Sequence, residues 1–147
     1  MGAAILLQSL AREPRFCAAV ADSAFATFRE AAYEHVGEFV GMGPHWFGQT
    51  LGQPMIWIGI LYGRLRYHEN LMDANPRPAL MATAVPVLLI HGVGDEDLLP
   101  ANSVVLHNAA PTHTDLWLVS GASHIGAYSK YPQEFEQRIL NWFAMHQ

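Results

Sequence analysis

The chain alternates short apolar runs with longer segments of helical periodicity. Three runs, at 16–21, 86–90 and 115–119, have the length and composition of strands that are buried on both faces. Helical spacing of apolar residues predicts helices at 2–12, 27–40, 54–67, 76–81, 100–108 and 132–145. Strands that alternate with helices predict an α/β fold, with a parallel sheet flanked by helices and joined by right-handed crossovers.

Individual residues add three local predictions to this pattern of elements. Thr27 followed by Glu30 predicts a capping box at the start of the second helix. Cys17 lies within an apolar run and is predicted to be a small buried side chain rather than a reactive thiol. The closing helix has an apolar stripe that we expect to be buried: Phe135, Ile139, Leu140, Trp142 and Phe143.

Composition excludes several classes of protein. Half of the 147 residues are hydrophobic, 14% are charged, and the net charge of −5 argues against nucleic acid as a partner. The apolar segment 54–67 is shorter than the ~18–20 residues that span a bilayer, so no transmembrane segment is predicted. The single cysteine permits no disulfide within the chain and favours a reducing compartment such as the cytoplasm.

Two strands are followed, just past a glycine, by an ionisable side chain. Asp95 follows the run at 86–90, and His124 follows the run at 115–119. The carboxyl ends of parallel strands lie at one edge of a sheet, where ligands bind, so we expect the two side chains to lie close together. An acid and then a histidine are two of the three members of a hydrolytic triad. His91, at the end of its strand, is interpreted as structural.

Metal and cofactor sites are not predicted. The acidic trio at 95–97 lacks the alternating ligands and the glycine turn of an EF-hand. The remaining histidines show no metal-binding spacing such as His-Glu-x-x-His.

Two motifs resemble those of the α/β-hydrolases. The pattern His-Gly-x-x-Asp followed by an apolar-Pro step is similar to their acid loop, and Gly-x-x-His followed by Pro-x-x-Phe is similar to their histidine loop. The likeness is closest to bacterial hydrolases of the prolyl-oligopeptidase and serine-aminopeptidase type. The opening residues, Met1 to Ala4, resemble the nucleophile motif Gly-x-Ser-Met-Gly from one residue after its serine.

The resemblance implies a partial domain and a set of roles. Residues 1–147 would form the C-terminal half of the fold, with a helical lid or cap inserted at 24–82. His124 would be the catalytic base and Asp95 the acid, although Pro100 falls one residue late and leaves Asp97 possible as the acid. The backbone N–H of Met1 would help form the oxyanion hole of a full-length parent.

The same resemblance implies partners and leaves two functions open. None of the six serines lies in Gly-x-Ser-x-Gly, so the missing N-terminal half would supply the nucleophile. The substrate would be a small ester or a peptide-like molecule. The alternative is a non-catalytic binding or assembly module that keeps the fold. Likewise, the helix at 54–67 either packs in the core or lines a substrate site as part of a lid.

Overall fold

A computed structural model describes residues 1–13, 15–39 and 50–146, without the side chains of 37–39. Its elements follow in this order: α1 (Gly2–Ser9), β1 (Ala19–Asp22), α2 (Phe28–Phe39), α3 (Gln53–Tyr67), a 3₁₀ helix (Leu71–Asp73), α4 (Pro76–Met81), β2 (Val87–Gly92), α5 (Ala101–Ala109), β3 (Thr114–Val119), α6 (Ala127–Lys130) and α7 (Pro132–Met145).

The three strands form one parallel sheet in the order β1-β2-β3, which confirms the predicted fold class. Ala19 pairs with Val87, and Val87 pairs with Thr114, so the strands start nearly level. β1 begins three residues later than predicted. Its first hydrogen bond joins the Ala19 N–H to the Pro86 carbonyl, and β2 begins only at the next residue.

The core lies on both faces of the sheet, and β2 is buried along its whole length. On one face, Leu89 packs with Leu7 of α1 and Leu106 of α5. On the other face, Ile90 packs with Trp142 of α7. Side chains of a strand alternate between its two faces, so a continuous apolar run is what a doubly covered strand requires.

The structure corrects three predictions of burial. Cys17 is exposed, because it precedes the first residue of β1 that pairs with β2. Leu140 and Phe143 are 69% and 41% exposed. Only Phe135, Ile139 and Trp142 of α7 contact the apolar cluster on their side of the sheet, so the stripe that packs is narrower than predicted.

α3 buries only a narrow stripe, consisting of Ile56, Ile60 and Gly63. Its other large apolar side chains are exposed: Met55, Trp57, Ile58, Leu61, Tyr62, Leu65 and Tyr67. Core packing therefore explains only one side of this helix. Within the described ranges, no helix is both long and apolar enough to cross a bilayer.

α2 begins with one of the two hydrogen bonds of the predicted capping box. The Thr27 hydroxyl oxygen accepts a hydrogen bond from the Glu30 N–H at 3.2 Å, and the hydroxyl lies 3.0 Å from the Glu30 carboxylate. The segment 40–49 of the predicted cap lies outside the described residues. Assignment of 24–82 to a cap stays a prediction.

Self-association of the 147-residue chain is our first testable expectation. The N–H groups of Ala19 and Ser23 bond to β2, so those of Val20 and Asp22 point to the other side of β1. Among the described residues, no strand pairs with that side, and unpaired edges recruit other chains. Light scattering after size-exclusion chromatography should show oligomers at about tens of micromolar.

Val20→Pro provides the control for this expectation. Proline removes a donor from the outer edge only, so the variant should associate less while the β1–β2 pairing is retained. A parent chain that elutes as a monomer, or a variant that associates as strongly as the parent, would contradict the edge explanation.

Candidate active site

Two loops meet at the carboxyl edge of the sheet because β2 and β3 remain paired up to Gly92 and Val119. Beyond that pair, the Val93 N–H donates to the Val119 carbonyl and the Gly94 N–H to the Ala122 carbonyl, both at 2.9 Å. A Cβ atom at position 92 would collide with the carbonyl oxygens of Ala122 and Ser123. Glycine is therefore required here by close approach of the second loop.

The two loops bring Asp95 and His124 into contact. Nδ1 of His124 lies 2.8 Å from Oδ2 of Asp95. The Asp95 side chain is fully buried, whereas the His124 side chain is 35% exposed. Among the described residues, Nε2 of His124 has no hydrogen-bond partner. The ring is thus held through one nitrogen and presents the other.

Asp97 does not make this contact. Its backbone N–H donates to Oδ1 of Asp95 at 3.1 Å, and the Leu98 N–H donates to the same oxygen at 2.9 Å. Asp95, Asp97 and His124 could together offer three ligand atoms to a metal ion. However, both oxygens of Asp95 already accept hydrogen bonds from the protein, so we infer no metal site from this group.

A hydrogen bond between two residues of unusual backbone conformation joins the histidine loop to the end of β1. Ser23 and Ile125 both have positive φ, at 50° and 47°. The Ile125 N–H donates to the Ser23 hydroxyl oxygen at 3.3 Å. A β-branched residue rarely adopts this conformation, and such outliers concentrate at functional sites. Sequence reasoning missed Ser23; its position at the same sheet edge as the two loops was the available signal.

Asp22 is a further carboxyl group at this edge that the sequence did not single out. Burial raises the pKa of Asp22, while a hydrogen bond from Ser23 and the nearby rings of His91 and His124 act in the opposite direction. Asp95 contributes a smaller effect that also raises it. The site therefore contains a second carboxyl group beside the Asp95–His124 pair.

A cleft of about 720 Å³ opens beside His124. Its lining is mostly apolar and comes from the segment between β1 and α2, from α2 and α3, and from the acid loop: Phe25, Phe28, Ala31, Val36, Met55 and Leu98. Met1, the residue before α1, also lines it. Of the three residues of the predicted site, Met1 and His124 line the cleft. Asp95 does not line it, and is buried against Nδ1 of His124.

Comparison of sequences identifies no relative: no family model matches the chain, and no curated protein does. Solved structures do match. An esterase from Pyrococcus furiosus superposes with a TM-score of 0.70 at 18% identity, over 98% of this chain and 50% of that one. An acylaminoacyl peptidase from Pyrococcus horikoshii gives a TM-score of 0.67 at 14% identity, over 99% of this chain and 22% of that one.

A puromycin-hydrolysing peptidase from Mycobacterium tuberculosis gives a TM-score of 0.66 at 17% identity, over 99% of this chain and 20% of that one. All three have the α/β-hydrolase fold. This chain therefore has the α/β-hydrolase fold. It spans about half the length of the esterase and about a fifth of each peptidase.

The close approach at Gly92 is tested by adding one methyl group. Gly92→Ala must push the acid loop away from Ala122 and Ser123, and overpacking of this kind costs about 1–3 kcal/mol of unfolding free energy. Gly59→Ala is the matched control, because a Cβ atom there meets open space on the exposed side of α3. It should be neutral or stabilise by up to about 1 kcal/mol. Denaturant unfolding measures both, and equal effects would contradict the argument.

The raised pKa of Asp22 has a consequence for pH dependence. A carboxyl group with a raised pKa binds more protons in the folded state, so stability falls as pH rises from the ordinary value of 3.8 through the raised value. Asp22→Asn removes this penalty. Thermal unfolding should show the variant gaining stability relative to the parent as pH rises to neutral. A difference that is the same at every pH would contradict the assignment.

Proposed function

We propose that this chain is the C-terminal part of a serine hydrolase that cleaves an ester or amide bond by acyl transfer. It would carry the acid and the base of the triad, Asp95 and His124, but not the nucleophile. The observation that carries the proposal is the 2.8 Å contact between these two side chains beside an apolar cleft, where the second ring nitrogen has no partner among the residues that the structure describes. The esterase and peptidases with the same fold agree with it.

The contact with Asp95 gives His124 the form that a base requires. A carboxylate oxygen accepts, so Nδ1 carries the proton and Nε2 keeps a lone pair. In the proposed reaction, Nε2 takes the proton of a serine hydroxyl as its oxygen attacks the carbonyl carbon. The protonated ring then gives that proton to the leaving group, and water repeats both steps to release the acid.

The start of α1 supports the proposed position of the nucleophile. In α/β-hydrolases the serine lies on a sharp turn between a strand and a helix. Met1 caps the N-terminus of α1, and it lines the same cleft as His124. A serine directly before Met1 would therefore enter the cleft that the ring faces. The strand leading to it would occupy the outer edge of β1.

The same position gives Met1 a proposed role through its backbone. The N–H of the residue after the nucleophile helps stabilise the negative charge that develops on the substrate's carbonyl oxygen. At a free chain terminus this nitrogen is instead an amine without a preceding peptide bond. The role of Met1 therefore applies to a protein in which the upstream half is joined to it.

The lining of the cleft indicates the kind of substrate. The segment proposed as the cap, 24–82, contributes Phe25, Phe28 and Val36 to the lining. It also contributes Met55, from the first turn of α3. Apolar walls exclude water and bind apolar groups, while few polar atoms are available to select a charged one. We propose a small ester, or a peptide-like amide, with an apolar group next to the scissile bond.

Activity tests this proposal directly. The 147-residue chain should not hydrolyse a p-nitrophenyl ester above background, because loss of the nucleophile alone lowers the rate by about 10⁶. Joining it to an upstream half that ends in Gly-x-Ser should restore hydrolysis and labelling by a fluorophosphonate. A joined protein that binds no such probe would favour the alternative, a non-catalytic binding or assembly module.

Variants of the joined protein separate the roles. His124→Ala should abolish hydrolysis, and Asp95→Asn should lower kcat by about 10⁴, because the amide favours the wrong ring tautomer. Asp97→Asn is the matched control: its backbone N–H remains bonded to Asp95, so activity should change little. Labelling of the 147-residue chain alone by the fluorophosphonate would show that its nucleophile has been misassigned.

A further inference from the structure

His91 is a fully buried histidine that the proposed reaction does not use. It lies in β2, one residue before the strand ends, and its side chain has 0% exposure. Nδ1 lies 2.6 Å from the Ser103 hydroxyl of α5, and Nε2 lies 2.8 Å from the Leu98 carbonyl oxygen. Nε2 also lies 3.2 Å from Oδ2 of Asp95. A role confined to packing does not explain this last contact.

The partners of His91 fix where its proton lies. A carbonyl oxygen has no hydrogen to donate, so Nε2 must carry the proton that binds Leu98. In the neutral ring, Nδ1 then accepts the hydrogen bond from Ser103. Both nitrogens are occupied and away from solvent, so this ring is a fixed donor rather than a second base. Its Nε2–H points to the Leu98 carbonyl, and Oδ2 of Asp95 makes an electrostatic contact with the same nitrogen at 3.2 Å.

The donors around Asp95 show what that N–H adds. Oδ1 accepts from the backbone N–H groups of Asp97 and Leu98. Oδ2 accepts from Nδ1 of His124 at 2.8 Å and faces Nε2 of His91 at 3.2 Å. Three hydrogen bonds therefore hold the carboxylate, and the Nε2–H of His91 adds an electrostatic contact to Oδ2. Without His91, Oδ2 would lose this contact at a carboxylate whose side chain has no exposure to solvent.

We propose that His91 is a positioning residue, which holds Oδ2 of Asp95 toward His124 and so keeps the proton of His124 on Nδ1. This inference rests on the proposed function only for its effect on rate. The geometric part stands on the hydrogen bonds of His91 and Asp95 and on the 3.2 Å contact between their side chains. The Ser103 hydroxyl of α5 fixes the orientation of the His91 ring through a hydrogen bond. The ring in turn contacts Asp95, and Asp95 binds Nδ1 of His124.

A matched pair of amides tests the contact. The side-chain nitrogen of His91→Gln reaches about the position of Nε2 and keeps a donor for Asp95. The shorter side chain of His91→Asn reaches about the position of Nδ1, so it keeps a partner for Ser103 and loses the donor for Asp95. Both variants remain polar and smaller than the ring. The two variants are reciprocal. His91→Gln keeps the donor that faces Leu98 and Asp95 and loses the partner of Ser103, whereas His91→Asn keeps the partner of Ser103 and loses that donor.

The primary readout is the Nδ1–H proton of His124, observed by NMR in the 147-residue chain below the concentration at which it associates. A strong hydrogen bond to a carboxylate moves this proton far downfield, and the resonance is assigned by its loss in His124→Gln. His91→Gln should retain it, and His91→Asn should shift it upfield or broaden it through exchange with water. The same two amides at His107, whose Nδ1 lies 2.9 Å from the Thr114 hydroxyl, should leave it unchanged.

Rate is the second readout, in the joined protein. His91→Asn should lower kcat by about 10- to 100-fold with little change in KM, as the loss of a group that orients a functional side chain does, and His91→Gln should recover most of it. If the joined protein is inactive in every form, the proposed function fails, and the NMR result still decides the role of His91.

Three outcomes would overturn the inference. The first is a His124 resonance that is unchanged in a folded His91→Asn variant. The second is equal disturbance by both amides, which would show that the ring serves packing alone. If neither amide variant folds, Ser103→Ala tests the role of His91, because it frees Nδ1 of His91 and lets that ring turn, so the His124 resonance should broaden. The third outcome against the inference is a sharp, unshifted His124 resonance in Ser103→Ala.

Discussion

The close approach of the acid loop to the histidine loop is the constraint on which the rest of the site depends. It is possible because position 92 carries no side chain, and because backbone hydrogen bonds join the two loops directly beyond the paired strands. Once the loops are joined, the Asp95–His124 contact follows from the register of β2 and β3. The sheet thus serves as a rigid support, and the chemistry depends on loops whose mutual distance the sheet determines.

The fold could be predicted from the sequence because its strands are short apolar runs separated by glycine, proline and helical periodicity. Burial on both faces holds for β2, whereas Leu118 of β3 is 40% exposed. The boundaries were less predictable. Phe16 to Ala18 look like strand, but pairing with β2 begins only at Ala19, and this depends on where a distant segment starts. Exposure of Cys17 has the same cause. Leu140 and Phe143 fit an apolar stripe, yet the covered part of the sheet is narrower than that stripe.

Asp95 and His124 could be singled out because each follows a glycine at the end of a strand, and a resemblance to known motifs pointed to the same residues. The sequence could not decide between Asp95 and Asp97, because the choice depends on which carboxylate turns inward. His91 has a visible spacing of four residues from Asp95, but its role depends on the ring's partners. The bonds to Leu98 and Ser103, which fix the proton on Nε2, exist only in the folded chain.

The contacts that orient the Asp95–His124 pair all lie within this chain. The three hydrogen-bond donors on Asp95 come from Asp97, Leu98 and His124, and His91 adds a 3.2 Å contact. The loop of His124 is held by Ser23 and by the acid loop itself. An upstream half would therefore not be needed to build the pair; it would have to deliver a serine to a ring already oriented. Under the proposed function, division of the fold at this point would separate the nucleophile from a base that is already preorganised, and preorganisation is the larger part of what such sites contribute to rate. The geometry of the pair can then be measured in the 147-residue chain, whereas the proposed catalytic power is measured in the joined protein.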